Sequence, residues 1–178
     1  MNCKKNTTTY YNIDGKTIYA IHEHDPDTLN FIKTTWFHKD GETIDFITEY
    51  DPITEEPIKE TFYDDDGKTI DYIEEYNPQT GKLTKQTLYR IDGKTKKFVV
   101  EYTPDGKLTK RTLYRADGKT IWSIKEIDPQ TGNKTKTTYY NSDGKTINNI
   151  LEYNPQTGNI TKKTYYNSDG TIKEEKTF

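Results

Sequence analysis

The sequence lacks the features that mark a disulfide-stapled domain, a membrane span or a nucleic-acid-binding protein. Cys3 is the only cysteine in 178 residues, so no internal disulfide can form and the redox compartment stays undetermined. No apolar run approaches the roughly 18–20 residues of a transmembrane helix, and no hydrophobic segment opens the chain as a signal peptide would. The formal net charge of −3 gives no broad basic surface, which argues against nucleic acid as the main partner.

Apolar residues are also scarce, at 30% of the chain, and the mean hydropathy is −1.09. This composition is close to that of disordered proteins, which cannot bury enough apolar surface to fold. The 15 Tyr, 6 Phe and 2 Trp argue the other way, because they recur in phase with a sequence repeat. We therefore expect an ordered but thin fold.

Residue patterns for metal binding are weak. His22 and His24 lie two residues apart and could share a metal on a strand, but no third ligand recurs with them. Asp64–Gly67 resembles the start of a calcium loop, yet the position of the essential Glu falls on Ile73. We predict no metal site and no cofactor.

Patterns for catalysis are equally weak. A Glu recurs once per repeat, as a solvated or ion-paired ladder would, whereas catalytic carboxylates need two different environments in one cleft. The sequence has no nucleophile paired with a base and no phosphate-binding Gly-rich turn. We predict that the protein is not an enzyme.

The dominant feature is an Asp-Gly dipeptide that recurs at steps of 26, 26, 26, 25, 26 and 26 residues. A fixed period of this length indicates a repeat array, in which each repeat packs against its neighbours. The residue three positions before each Asp is always aromatic, and the residue five positions before is always Thr. Such β-branched and aromatic residues favour a strand before the Asp-Gly, for example Thr135–Tyr140.

The loops identify the segment after each Asp-Gly, for example Lys145–Tyr153, as a second strand. The near loop, Asn141–Gly144, has the form of a three-residue hairpin loop with a left-handed Gly and a bulge. The far loop, Asn154–Gly158, reads as a four-residue hairpin loop. In one repeat the far loop is replaced by the shorter Thr103–Gly106, which explains the single 25-residue step and makes sense only between two strands.

Loops of different length predict one β-bulge in each second strand, bracketed by Ile147 and Ile150, which then share a face. We expect that face to carry also the Tyr139-type aromatics and the Glu column of Glu152. The opposite face is expected to hold the columns represented by Tyr140, Thr138, Tyr153 and Lys136.

The predicted fold is therefore all-β: an elongated, single-layer, twisted antiparallel meander of about fourteen strands built from ~26-residue hairpin repeats. We predict one array over residues 1–178, with about six and a half repeats. Residues 1–8 form the expected N-terminal cap, and residues 171–178 form a charged capping strand.

The motif Tyr-Tyr-Asn-Ser-Asp-Gly-Lys-Thr-Ile, followed by Glu-Tyr-Asn-Pro-Gln-Thr-Gly, resembles a tyrosine-rich repeat family of unknown function found in phytoplasma proteins. In outline the hairpins are also similar to MORN and YD repeats, without the MORN glycines or the YD spacing. The resemblance implies a secreted or surface-associated bacterial protein that acts on a host partner. It supplies no catalytic residues.

The best functional candidate is a face lined by Tyr and Lys, which could form a long contact surface for a protein partner. Alternatives are a glycan- or surface-polymer-binding adhesin and a purely structural spacer. One position, occupied by Tyr19, Asp45, Asp71, Lys97, Trp122 and Asn148, varies between repeats and could tune recognition. The oligomeric state is left open. The predicted partner-binding residues are Phe37, Tyr63, Tyr89, Tyr114, Tyr140, Lys59, Lys85, Lys110, Lys136 and Trp122.

Overall fold

The computed structural model describes residues 6–178, which form fourteen β-strands and no helix. The strands follow one another at the spacing that the alternating loops predict. They are β1 (Asn6–Tyr11), β2 (Ile18–His24), β3 (Phe31–Phe37), β4 (Ile44–Tyr50), β5 (Pro57–Tyr63), β6 (Ile70–Tyr76), β7 (Leu83–Tyr89), β8 (Lys96–Tyr102), β9 (Leu108–Tyr114), β10 (Ile121–Ile127), β11 (Lys134–Tyr140), β12 (Ile147–Tyr153), β13 (Ile160–Tyr166) and β14 (Ile172–Thr177).

The strands form a single open antiparallel sheet in the order of the sequence, from β1 to β14, which confirms the predicted all-β meander. The chain divides into two compact units. The N-terminal unit runs to Thr84 and includes Ile91–Lys94, and the C-terminal unit contains Lys85–Arg90 and Thr95–Phe178. The single array over residues 1–178 stays a prediction. Residues 1–5 of the expected cap, including Cys3, lie outside the described residues.

Neither unit has a conventional apolar core. The buried apolar side chains in the described part of the chain are Ala20, Val99 and Val100, and two of the most completely buried side chains are Thr34 and Thr137. The sheet is therefore held together by contacts between side chains of adjacent strands, each worth roughly 0.2–1 kcal/mol.

The near loop differs from its prediction by one residue. Gly144 has φ 67° and donates its N–H to Asn141 O at 3.0 Å, as expected, but Asn141 N–H donates to Thr146 O at 2.9 Å. Four residues, not three, lie between this closing pair, so the predicted loop length is wrong. The cause is the Asp143 carboxylate, which accepts hydrogen bonds from the backbone N–H groups of Lys145 and Thr146 and draws Lys145 into the loop.

Three-residue loops occur where the chain is shorter. Asn167 N–H donates to Thr171 O at 2.8 Å in the last repeat, which lacks the loop Lys. Thr103 N–H donates to Lys107 O at 2.7 Å in the shortened far loop. The ordinary far loop has the predicted four residues, because Asn154 N–H donates to Asn159 O at 2.9 Å.

Two bulges recur along the sheet, one more per repeat than predicted. In β12, Ile147 lies opposite Tyr140 and Asn149 opposite Tyr139, so Asn148 is the extra residue of the expected bulge. The second bulge is at the start of the other strand: Ile160 lies opposite Tyr153 and Lys162 opposite Glu152, which leaves Thr161 as the extra residue. A strand that leaves a loop in this repeat therefore begins with a bulge.

The register confirms that Ile147, Ile150 and Glu152 share a face and that Tyr140, Thr138 and Lys136 share a face. The prediction is wrong in separating these two groups and in placing Tyr139 with the first and Tyr153 with the second. Ile150 lies opposite Thr138, so the two isoleucines lie on the side of Tyr140, whereas Tyr139 and Tyr153 lie on the other side. The reason is that the near loop holds one residue more than predicted, so Ile147 lies opposite Tyr140 instead of Tyr139. A shift of one residue in the register moves every side chain of a strand to the opposite face relative to its partner strand.

Two surfaces follow, and we name them by their residues in β11 and β12. The tyrosine–lysine face carries the positions of Lys136, Thr138, Tyr140, Ile147, Ile150 and Glu152. The variable face carries the positions of Thr137, Tyr139, Asn148, Asn149, Leu151 and Tyr153.

Candidate functional site

The structure places nine of the ten predicted partner-binding residues on the tyrosine–lysine face of their unit. Each aromatic lies opposite the first residue of the next strand, as in the pair of Tyr63 and Ile70. Trp122 does not lie with them, because it is the extra residue of its bulge and its ring packs against Tyr139 at 5.9 Å, on the variable face. The nine residues are Phe37, Tyr63, Tyr89, Tyr114, Tyr140, Lys59, Lys85, Lys110 and Lys136.

Lysines on this face form ion pairs with the Glu column. Lys110 Nζ lies 2.8 Å from a carboxylate oxygen of Glu101, and Lys136 Nζ lies 2.9 Å from one of Glu126. The hydrogen bond with Glu126 raises the pKa of Lys136. The recurring Glu is thus part of a cross-strand ladder that compensates the lysine charges, and both columns help to hold neighbouring strands together.

The variable face of the N-terminal unit carries a ladder of four aromatic rings. Trp36, Phe46, Phe62 and Tyr72 lie opposite one another on consecutive strands. Their ring centroids are separated by 5.5, 5.2 and 4.3 Å, with interplanar angles of 20°, 21° and 16°. Offset stacking of this kind stabilises the sheet beyond simple burial. Sequence reasoning missed the ladder because it placed half of these rings on the isoleucine side.

Polar side chains flank the ladder. Trp36 Nε1 donates to Thr48 Oγ1 at 3.3 Å, and Thr48 Oγ1 donates to Glu60 Oε1 at 3.2 Å. The Tyr76 hydroxyl contacts Glu60 Oε2 at 2.8 Å and also Glu74. Burial, together with these two carboxylates, raises the pKa of Tyr76 far above its ordinary value.

The surroundings of the ladder are acidic. Glu60 and Glu74 lie directly opposite each other on β5 and β6. Burial raises the pKa of Tyr72, and so do the nearby carboxylates of Glu74, Asp71, Glu60 and Asp45. The N-terminal unit therefore presents aromatic rings bordered by negative charge.

In the C-terminal unit, two of the four equivalent cross-strand pairs are basic, and the other two, Gln86–Val100 and Thr137–Leu151, are uncharged. Arg111 and Lys125 lie directly opposite each other on β9 and β10, and Lys163 lies opposite Lys176 on β13 and β14. The guanidinium carbon of Arg111 lies 3.9 Å from the centroid of the Phe98 ring, within the range of a cation–π contact.

The two halves of the sequence carry opposite net charges. Residues 1–84 contain 18 acidic and 8 basic residues, a net charge of −10, whereas residues 85–178 contain 11 acidic and 18 basic residues, a net charge of +7. The overall net charge of −3 conceals this difference, which separate charge counts for the two halves of the sequence reveal.

Other clusters carry less chemistry. His22 packs between the rings of Tyr10 and Phe31 at 4.5 and 5.1 Å, and burial lowers its pKa. Across residues 6–178, no three His, Cys, Asp or Glu side chains group closely enough to hold a metal ion.

A cavity of about 400 Å³ beside β14 is lined by Lys163, Tyr165, Lys173, Glu174, Lys176 and Phe178. The described part of the chain has no helix that could cross a membrane.

Comparison with solved structures finds only distant likenesses. A mutant of S. aureus TarM in complex with Fondaparinux, alpha-GlcNAc-glycerol and UDP is 15% identical, with a TM-score of 0.32. The match covers 75% of this chain and 20% of TarM. The Tc holotoxin pore of Photorhabdus luminescens, in a TccC3 mutant, is 12% identical with a TM-score of 0.27, over 95% of this chain and 11% of that chain.

A third likeness is to a Bacteroides fragilis protein with unknown function, which is 10% identical with a TM-score of 0.17, over 99% of this chain and 95% of that protein. This chain spans a fifth or less of the TarM and toxin chains. These TM-scores all lie below 0.5, so the likenesses transfer no activity.

No curated protein matches the chain. A family model does match, with the description "Protein of unknown function (DUF2963)", over residues 3–36, 10–62, 37–88, 62–107, 89–139 and 140–178. Together these matches span nearly the whole sequence, and each covers one or two of the hairpin repeats. The chain therefore belongs to the DUF2963 family of proteins of unknown function.

Proposed function

We propose that the protein is a non-enzymatic repeat module that binds a protein partner through the variable face of its sheet. The observation that carries the proposal is the contrast between the two faces. One face repeats the same side chains, while the other changes from aromatic and acidic in the N-terminal unit to basic in the C-terminal unit. Variation on a constant frame is what recognition by a repeat protein requires.

The tyrosine–lysine face is better suited to maintaining the frame. Lysines on this face pair with glutamates, so their charges are partly compensated within the sheet. The binding role of the nine residues on this face stays a prediction, whereas Trp122 belongs to the proposed surface.

The variable face, by contrast, presents large apolar and charged groups at single positions. Trp122 is 45% exposed and Tyr19 is 39% exposed, although both are large aromatic side chains. Exposed aromatics and arginines are the residue types that dominate protein–protein contacts.

Affinity capture with matched variants tests the proposal. Phe46→Asn and Tyr72→Ser place on the variable face the residues that other repeats hold at the same position, Asn149 and Ser123, so we expect folded proteins. The control is Tyr89→Ala with Tyr114→Ala on the tyrosine–lysine face.

We expect the first pair of substitutions to abolish a specific captured partner and the control pair to retain it. Far-UV circular dichroism verifies that each variant keeps its β-structure. The opposite result, in which only the control pair abolishes capture, would overturn the assignment of the variable face and favour the face predicted from the sequence.

We also propose, from the resemblance of the repeats, that the protein acts outside the cell that makes it. The resemblance is the sole support for this location. Immunodetection in culture medium and intact cells tests it, with a cytoplasmic enzyme as the control for lysis. Retention of the protein with that enzyme would refute an extracellular role.

A further inference from the structure

We infer that the variable face binds a second copy of this chain, with the acidic aromatic surface of one N-terminal unit packed on the basic surface of another copy's C-terminal unit. The inference rests on the proposed role of the variable face and names its occupant. It begins from cross-strand pairs of equal charge, which recur at one position of the repeat.

These pairs place like charges directly opposite each other on adjacent strands. Glu60 faces Glu74 in the N-terminal unit, and Arg111 faces Lys125 in the C-terminal unit. Like charges directly opposite each other destabilise a pair of strands. Both pairs occupy the same position of the repeat and differ in sign, so one copy's acidic pair is complementary in charge to another copy's basic pair.

The hydrogen-bond partners of Glu60 agree with this view. Its carboxylate oxygens accept from the hydroxyls of Thr48 and Tyr76, which are neutral. Hydroxyl donors orient the carboxylate but leave its charge uncompensated. A guanidinium or ammonium group from another copy can supply the missing charge, and such charge-assisted contacts are stronger than neutral hydrogen bonds.

The aromatic side chains provide the apolar part of the contact. The stacked rings from Trp36 to Tyr72 lie on one face of a one-layer sheet, where a second layer would cover them. Arginine and lysine side chains bind favourably over aromatic faces, as Arg111 already does on Phe98 within this chain. The C-terminal unit thus carries the side chains that an acidic aromatic surface binds.

The available area fits a stable interface. Six strands at about 4.8 Å spacing, each seven residues long at about 3.3 Å per residue, form a face of roughly 660 Å². Contact over one such face buries roughly 1,300 Å² in total, within the ~1,200–2,000 Å² of standard protein interfaces. Each such contact joins the N-terminal unit of one copy to the C-terminal unit of another copy.

Sedimentation velocity of the full chain tests the inference directly. We expect the 20.8 kDa chain to sediment as a dimer or larger species at 100 µM protein in 20 mM NaCl, and to shift towards the monomer in 500 mM NaCl. A monomer in 20 mM NaCl overturns the inference.

Charge exchange provides the specific test. The first variant, Glu60→Lys with Glu74→Lys, copies the Lys163–Lys176 pair, and the second, Arg111→Glu with Lys125→Glu, copies the Glu60–Glu74 pair. Each reversed pair already exists at this position in the sheet, so we expect both variants to fold. Each variant alone should be monomeric, and an equal mixture of the two should form a mixed dimer or larger species.

Two further outcomes are decisive. Exchange of the ion pair on the other face, Lys59→Glu with Glu49→Lys, should leave self-association unchanged, and loss of association there would overturn the choice of face. A wild-type chain that is monomeric but captures a different protein through Phe46 and Tyr72 would overturn this inference and leave the proposed function intact.

Discussion

The stacking of near loops provides a sharp test at Gly67. This residue has φ +64°, and an added Cβ would lie 2.7 Å from the backbone N of Ile44 and 2.8 Å from Cγ2 of Thr43, in the preceding repeat. Both distances are below those that real Cβ atoms show, and the backbone atom cannot rotate away. The same close approach recurs at Gly41, Gly93, Gly118 and Gly144.

The matched control is Gly81, in the far loop of the same unit. It has φ +65°, but an added Cβ would meet no described heavy atom within 4 Å beyond its chain neighbours. Both Gly→Ala changes incur the left-handed backbone cost of about 1–2 kcal/mol. Only Gly67→Ala adds the overpacking cost of about 1–3 kcal/mol.

We therefore expect Gly67→Ala to lower the free energy of unfolding by about 2–5 kcal/mol and Gly81→Ala by about 1–2 kcal/mol. Equilibrium unfolding in urea measures both, with circular dichroism for the whole sheet and the combined fluorescence of Trp36 and Trp122 for the two units. Equal losses, within about 0.5 kcal/mol, would show that the near loops do not depend on close stacking and would refute the argument.

Three further predictions concern charge and ring contacts. Hydrogen bonds from loop threonines lower the pKa values of Asp40 and Asp117 to about 2, below the ordinary 3.8. Their contribution to stability is therefore present above pH 3.8 and lost as the pH falls towards 2, which an acid titration by circular dichroism can follow; no loss in that window would contradict it. A double-mutant cycle on Lys136 and Glu126 should give a coupling below about 1 kcal/mol, because the pair is partly exposed, and a coupling several-fold larger would show that solvent screening is weak there. Phe46→Asn should cost about 1–3 kcal/mol in urea unfolding through lost stacking and burial, and an unchanged midpoint would show that the ladder is not stabilising.

Much of the strand architecture follows from local chemistry, which is why the sequence predicts it well. The expected strand Thr135–Tyr140 corresponds to β11, Lys134–Tyr140, and the expected Lys145–Tyr153 contains β12, Ile147–Tyr153. Turn residues such as Asp, Asn, Pro and Gly act within a few residues of their own position, so their spacing identifies each hairpin.

The faces could not be predicted with equal success, because they depend on a single residue in each near loop. Whether Lys145 belongs to the loop or to the strand is decided by hydrogen bonds to the Asp143 carboxylate, which spacing alone does not reveal. A one-residue error changes which residues share a face, so Trp36 and Phe62, as Tyr139-type aromatics, were expected on the isoleucine side.

The change from acidic to basic side chains along the variable face could have been predicted from the sequence, but only in two steps. The charges had to be counted by halves, and the positions of Glu60 and Arg111 had to be recognised as equivalent in the repeat. The net charge alone concealed both, since the opposite totals of the two halves nearly cancel.

The close fit of each near loop on the one before it has a consequence for how such chains change in length. Gly67 lies on residues 43 and 44, and Gly144 lies on residues 120 and 121, through equivalent atoms. When one 26-residue repeat is duplicated or deleted, the repeats that become neighbours meet through the same near-loop contacts as before. A gene can therefore gain or lose 26 codons without requiring a new kind of contact between repeats. Related proteins are then expected to differ mainly in the number of copies, and a chimaera cut at equivalent positions should fold as readily as its parents.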